Sequence, residues 1–194
     1  LISQHQHGFV KHRSTVTQLA LVVDGPTRAV DEGDLVDVAY LDFKKAFTSV
    51  SHKKLLVKLR SLGVGGKLLT WLEAFITNRR QRTKVNNSFS GWSHTTSGVP
   101  QGSCLGPTLF LVFINSLCNV IKHCKLKLYA DDVKLYFRYP RGNFSLDLQE
   151  DLDAVANWCE LWQLQLNINK SVINHFGYGN LHHFYQVEGH DLIT

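Results

Sequence analysis

Three carboxylates stand where they could do chemistry. Asp42 follows a β-forming, mostly apolar run, Leu35-Val36-Asp37-Val38-Ala39-Tyr40-Leu41. Asp131 and Asp132 sit side by side between two alternating stretches. Before them Leu126, Leu128 and Ala130 alternate with Lys125, Lys127 and Tyr129; after them Val133, Leu135 and Phe137 resume the pattern. That alternation predicts a β-hairpin with both carboxylates at its tip. A carboxylate ending a buried strand carries a desolvation cost, and adjacent carboxylates at a tight turn repel. If the tip meets Asp42, three negative charges converge. A divalent cation removes the repulsion, and oxygen-only ligands suit Mg²⁺. Mg²⁺ on carboxylates plus substrate phosphates is the arrangement for in-line phosphoryl or nucleotidyl transfer. Taken alone, an Asp-Asp pair also suits an ordinary exposed turn.

The rest of the chain must position these groups. A helix is expected over 14–32, opened by Ser14, ended by Gly33, and interrupted or kinked at Gly25-Pro26. A buried strand follows over 35–43, then amphipathic helices over 53–62 and 68–77. The basic block Arg79-Arg80-Gln81-Arg82-Thr83-Lys84 leads into a short hairpin over 85–92 around Asn86-Asn87. Residues 94–107 read as a Ser/Thr/Gly/Pro loop, 109–121 as a buried helix, 146–166 as a long amphipathic helix and 172–176 as a strand. The tail after Gly177 reads as irregular. Strands and helices mix without βαβ alternation, which predicts an α+β fold.

Composition bounds the classes. The 194 residues are 44% apolar and 19% charged, enough for a buried core without disulfides or structural metal. The net charge of +5 permits a polyanionic partner without requiring one. Neither a membrane-spanning run nor a signal peptide is visible. Cys104, Cys118, Cys124 and Cys159 form no C-x-x-C pair, so a reduced intracellular protein, nuclear or cytoplasmic and not secreted, is expected. The chain begins at Leu1 and contains no Met, so a fragment is expected.

Five motifs in one order carry a resemblance. Tyr129-Ala130-Asp131-Asp132 is the Y-x-D-D box of reverse transcriptases. Leu41-Asp42-Phe43-Lys44-Lys45-Ala46-Phe47 resembles their first carboxylate motif, and the stretch from Ser97-Gly98-Val99-Pro100-Gln101-Gly102 to Pro107 their template and nucleotide motif. Leu166-Asn167-Ile168-Asn169-Lys170 resembles the motif with a lysine near the triphosphate, and Gln6 to Leu19 the approach to the palm in LINE-type enzymes. Over residues 4–177 the chain is similar to a jockey-like, non-LTR retrotransposon reverse transcriptase.

The resemblance implies a polymerase palm, a ferredoxin-like antiparallel sheet packed on helices, with partial fingers. Residues 1–194 would be a fragment of that domain, the N-terminal fingers strands, primer grip and thumb lying outside it. It implies RNA-directed DNA synthesis on an RNA template from a DNA primer and dNTPs. Asp42, Asp131 and the Phe43 carbonyl would hold two Mg²⁺ ions (Mn²⁺ as a substitute), with Asp132 beside them. Phe47, next to Ala46, would block a ribose 2′-OH while also serving as a core aromatic. Gln101 would lie near the nascent base pair, with Pro100 in the same loop and Gly98 and Gly102 allowing close backbone approach. Lys170 is either a group near the leaving pyrophosphate or a solvated lysine. Arg13, Arg79, Arg80, Arg82 and Lys84 either contact phosphates or form a solvated basic surface. Thr48 and Ser116 stand where the family usually has Asp. Each change removes a capping or supporting contact near the site worth ~1 kcal/mol. The alternatives are a metal-dependent nuclease, which needs neither the Pro-Gln-Gly loop nor Phe47, and an inactive remnant or non-catalytic nucleic-acid-binding module.

Overall fold

The computed structural model describes residues 2–193. In chain order the elements are α1 (Thr15–Asp31), β1 (Leu35–Leu41), α2 (Ala46–Ser49), α3 (His52–Ser61) and α4 (Gly66–Ile76). Four two-residue strands follow: β2 (Arg80–Gln81), β3 (Lys84–Val85), β4 (Ser88–Phe89) and β5 (Ser93–His94). Then come α5 (Leu105–Ile114), β6 (Lys125–Tyr129), β7 (Asp132–Tyr139), α6 (Asp147–Trp162), β8 (Val172–Phe176), β9 (Gln186–Val187) and β10 (His190–Asp191).

A four-stranded antiparallel sheet in the order β6-β7-β1-β8 organises the molecule. The side chains of β1 alternate between two apolar clusters. Leu35, Ala39 and Leu41 join the larger core with α3, α5 and α6, while Val36 and Val38 pack with Val22 and Ala29 of α1. The sheet is thus covered on both faces, which explains why its central strand reads as nearly continuous apolar sequence.

Several expected boundaries shift for local reasons. The helix α1 runs unbroken through Pro26. Val22 and Ala29, on either side of the proline, are both buried on the sheet and hold the two halves in line. The helix α5 starts at Leu105 because Ser103 Oγ accepts the Gly106 N–H at 3.0 Å and Pro107 falls in the first turn, where no N–H is needed. It gives way after Ile114 to a 3-10 turn. The helix α6 ends at Trp162, four residues short of the expected limit, where Gln163 enters the left-handed region at φ 58°. The tail is not wholly irregular, since β9 and β10 pair.

Two buried charges stand out. Asp37 on β1 is fully buried; Oδ1 meets His175 Nδ1 at 2.7 Å and accepts from Asn180 Nδ2 at 2.9 Å. Oδ2 accepts the hydroxyls of Tyr185 at 2.6 Å and Tyr139 at 3.1 Å. Burial, then the Asp37 charge, raises the Tyr139 phenol well above its usual range. Lys58 of α3 is 5% exposed, ringed by Phe113, Trp158 and Trp162 with Nζ 4.7, 4.8 and 3.7 Å from the ring centres. It donates to the Phe113 carbonyl and, at 2.6 Å, to Ser116 Oγ. Among the described residues no carboxylate pairs with it, and burial pushes its ammonium down to about 7. Ser116, where the resemblance leads one to expect Asp, therefore faces this lysine and is not among the residues lining the cleft around Asp42.

No helix of the described residues is long and apolar enough to cross a membrane. All four cysteines are free, and burial pushes the Cys159 thiol up to about 12.

Candidate active site

Asp42 lies directly beyond β1, half-buried, with its backbone tied to the segment before β8. The Asp42 carbonyl accepts the Asn167 N–H at 2.8 Å, and its own N–H donates to Ser171 Oγ at 3.2 Å. Asn167 Nδ2 also donates to Asp42 Oδ2 at 3.0 Å, fixing the carboxylate's rotation. Asp131 lies in the two-residue turn between β6 and β7, whose register pairs Tyr129 with Asp132. Because β7 pairs with β1 from Leu35↔Tyr139 to Leu41↔Val133, the turn arrives beside Asp42.

One open cleft is lined by Asp42, Phe43, Ala46, Phe47, Gln101, Asp131 and Lys170. Lys44, Lys45 and Asn167 line it too; they fall within the motifs, but their spacing alone assigns them no role. Asp132 and Gly102 are exposed and Gly98 and Pro100 buried, and all four lie outside that lining. Burial, then the charges of Asp132 and Asp42, raises the Asp131 carboxyl above its ordinary value. This uncompensated negative charge on hard oxygen donors is what a divalent cation neutralises. Among the described residues no group of three or more His, Cys, Asp or Glu side chains converges as a metal site. Two carboxylates alone suit an ion that takes its other oxygens from backbone, water and substrate.

Phe47 is stacked on Phe110 at 4.3 Å between ring centres and meets Phe9 edge-on at 6.1 Å, so its ring is fixed at the cleft wall. The 97–102 loop docks on the same wall. Gly98 donates to Val50 O and Val99 to Phe47 O, each at 2.8 Å, and His52 Nε2 meets Gly98 O at 2.8 Å. Gly98 has φ 90°, and a Cβ there would lie 2.7 Å from Thr48 Cα. Gly98→Ala is expected to cost about 2–4 kcal/mol in thermal or urea unfolding. Gly102 shows no such approach within the chain; its φ of 78° is what calls for glycine.

The basic block forms an exposed arm. The strands β2 and β5 pair at its base and β3 and β4 beyond, turning at Asn86-Asn87. Arg82 lies 4.0 Å from the centre of the Phe89 ring and 4.6 Å from that of Trp92; Arg80 reaches Trp92 at 5.6 Å and Lys84 reaches Phe89 at 5.4 Å. A second groove, containing Arg79, Arg80 and the 94–101 segment, adjoins the first through Gln101. Arg13 is placed otherwise: its Nη1 donates to the carbonyls of Ser3, Gln4 and Gln6.

Known proteins resemble this chain in sequence and in fold. Residues 1–188 match the family model described as reverse transcriptase (RNA-dependent DNA polymerase). The chain is 32% identical over 180 residues to a probable RNA-directed DNA polymerase from transposon BS of Drosophila melanogaster, covering 89% of this chain and 20% of that protein. It is 30% identical over 177 residues to the RNA-directed DNA polymerase from mobile element jockey of Drosophila funebris, covering 87% and 19%. The chain thus spans about a fifth of the length of these curated relatives. Among solved structures, apo telomerase from Candida tropicalis superposes with a TM-score of 0.67 at 11% identity, covering 96% of this chain and 39% of that one. Telomerase from Candida albicans gives 0.63 at 13% identity, covering 93% and 33%, which extends the likeness in fold. With the motif order, the antiparallel sheet and the family match in agreement, the chain belongs to the reverse transcriptase (RNA-dependent DNA polymerase) family.

Proposed function

We propose that this chain is the palm, with part of the fingers, of an RNA-directed DNA polymerase from a non-LTR retrotransposon. It would extend a DNA primer on an RNA template from dNTPs. The observation that carries the reading is the shared cleft, where Asp42 and Asp131 meet Phe47, Gln101 and Lys170. The reaction is attack of the primer 3′-OH on the α-phosphorus of a dNTP with loss of pyrophosphate. Asp42, Asp131 and the Phe43 carbonyl would hold two Mg²⁺ ions, or Mn²⁺ in their place, with Asp132 adding charge alongside. Bound there, the ions supply hydroxyl activation and neutralise the triphosphate. Asn167 keeps the Asp42 carboxylate turned into the cleft. Lys170, with Lys44 and Lys45, offers positive charge to the leaving pyrophosphate. Gln101, exposed beside the cleft with Pro100 and Gly102 in its loop, faces the nascent base pair. Template and primer are held by their backbones, with Arg79, Arg80, Arg82 and Lys84 of the arm as phosphate contacts and Arg13 a lesser one.

The test is Mg²⁺- or Mn²⁺-dependent dNTP incorporation on a homopolymer template, with Asp42→Ala as control. Incorporation that survives Asp42→Ala would overturn the reading. Processive synthesis by residues 1–194 alone would contradict their being a partial domain. The second reading, a non-catalytic remnant, has one observation in its favour, the serine facing Lys58. Binding of nucleic acid with no incorporation under either ion would support it.

Phe47 offers a separate test. Its ring, packed on Phe110 at the cleft wall, would crowd a ribose hydroxyl placed there. Phe47→Val is expected to raise ribonucleotide use relative to deoxynucleotide use by about 10–100-fold in kcat/KM. Loss of the Phe110 stacking should cost about 1–2 kcal/mol of stability.

A further inference from the structure

The turn that carries Asp131 is held by a side chain from the other end of the chain. Ala130 has φ 53°, a left-handed conformation that costs a residue with a Cβ about 1–2 kcal/mol. Its N–H donates to Gln6 Oε1 at 2.8 Å, and its carbonyl accepts from Gln6 Nε2 at 3.1 Å. One amide therefore satisfies both backbone groups of the strained residue. The same Oε1 accepts the Gly8 N–H at 2.8 Å, and Gln6 is only 2% exposed. The segment bearing Gln6 is itself fixed along β6: His7 donates to Leu128 O at 2.8 Å and Leu128 to His5 O at 2.9 Å. Arg13 gathers the carbonyls of Ser3, Gln4 and Gln6 behind it. Gly8 completes the fit, since a Cβ there would lie 2.3 Å from Ala130 N.

Building on the polymerase reading, we propose that Gln6 is a positioning residue. It locks Ala130 in its left-handed conformation and so aims the Asp131 carboxylate at Asp42 and at the divalent cation they would share. Repulsion among Asp42, Asp131 and Asp132 drives the tip away from β1, and a free turn would yield to it. A neutral amide holding both backbone groups resists that force without adding charge to the cleft. A glycine at position 130 would adopt the same conformation unaided, which makes the role separable from simple support of the fold.

Gln6→Met keeps the length of the side chain and removes all three hydrogen bonds. The full 194-residue chain is compared with Gln6→Met, Ala130→Gly and the double variant. The readouts are amide hydrogen exchange over the turn and Mn²⁺ affinity by electron paramagnetic resonance, with Asp131→Ala setting the background. Gln6→Met is expected to speed exchange at Ala130 and weaken Asp131-dependent Mn²⁺ binding about tenfold or more. Ala130→Gly alone should leave the affinity within about twofold, and in the Gln6→Met background it should restore most of the loss. Unchanged Mn²⁺ affinity in Gln6→Met, or a double variant as weak as the single, overturns the proposal. If Gln6→Met does not fold, Gln6→Leu carries the same comparison, removing the same three hydrogen bonds and likewise adding no charge. Absence of any Asp131-dependent Mn²⁺ binding in the unaltered chain would instead sink the polymerase reading, and the aiming role with it.

Discussion

Asp131→Asn is expected to lower metal-dependent dNTP incorporation by on the order of 10³-fold or more, and in the same variant to raise the melting temperature. The two effects share a cause. Asp131 is held above its ordinary carboxyl value by burial, then by the charges of Asp132 and Asp42. In the absence of metal that arrangement is unfavourable to the fold, and the amide relieves it. The sign follows from proton counting. Around and just above the ordinary carboxyl value, the folded chain binds more protons at Asp131 than the unfolded chain does, so its contribution falls as pH rises through that window. The stability gain of Asp131→Asn should be largest above the folded value and should vanish as pH drops below about 4. Melting curves in EDTA from pH 3 to 7 measure it. A variant less stable than the parent at neutral pH would contradict the idea that charge convergence strains the tip. Saturating Mn²⁺ should reverse the order, stabilising the parent and not the variant.

The second large effect lies away from the cleft. Lys58 is caged by three aromatic rings, with Ser116 and the Phe113 carbonyl as its hydrogen-bond acceptors. Burial lowers its ammonium to about 7. Between that value and the ordinary lysine value the unfolded chain binds the extra proton, so stability rises with pH across the window. The full cost, present below pH 7, is on the order of 3–5 kcal/mol. Ser116→Asp supplies the missing carboxylate within reach of Nζ and of Trp158 Nε1, which now donates to Ser116 Oγ at 3.0 Å. It is expected to stabilise the chain at pH 7 by about 2–3 kcal/mol, or about 5–10 °C, and to flatten the pH dependence. Lys58→Met should flatten it too, and separates Lys58 from the tyrosines that titrate higher. Melting temperatures of parent and both variants from pH 6 to 9 decide the matter; parallel curves would show that Lys58 carries no such cost.

The parts of this molecule that were legible in its residues are those governed by local periodicity. Alternation over 125–137 places Asp131 and Asp132 at a turn, and the apolar run over 35–41 places Asp42 at a strand end, because strand side chains repeat every second residue. Motif order supplied Phe47, Gln101 and Lys170, all of which line the cleft with Asp42. What escaped depends on residues distant in sequence. Asp37 sits inside an apolar strand with no local hint that Tyr139, His175, Asn180 and Tyr185 would close on it. Gln6 carries no periodic signal, and its partner is the backbone of Ala130, which a string of side-chain letters does not display. Ser116 could be marked as unusual, but only the packing of α3 against α5 shows that Lys58 faces it. Pro26 is the opposite case: a strong local rule is overridden by tertiary burial on both sides of it.

The buried knot at Asp37 has a mechanical corollary. To keep its alternating faces, β1 could slide past its neighbours only in steps of two residues, a displacement of about 6.6–6.8 Å. Any such slip would drag a buried carboxyl group out of the grip of groups contributed by β7, β8 and the tail. The knot therefore acts as a detent on the strand that ends at Asp42. It sets the longitudinal coordinate of the candidate site from the opposite end of the sheet.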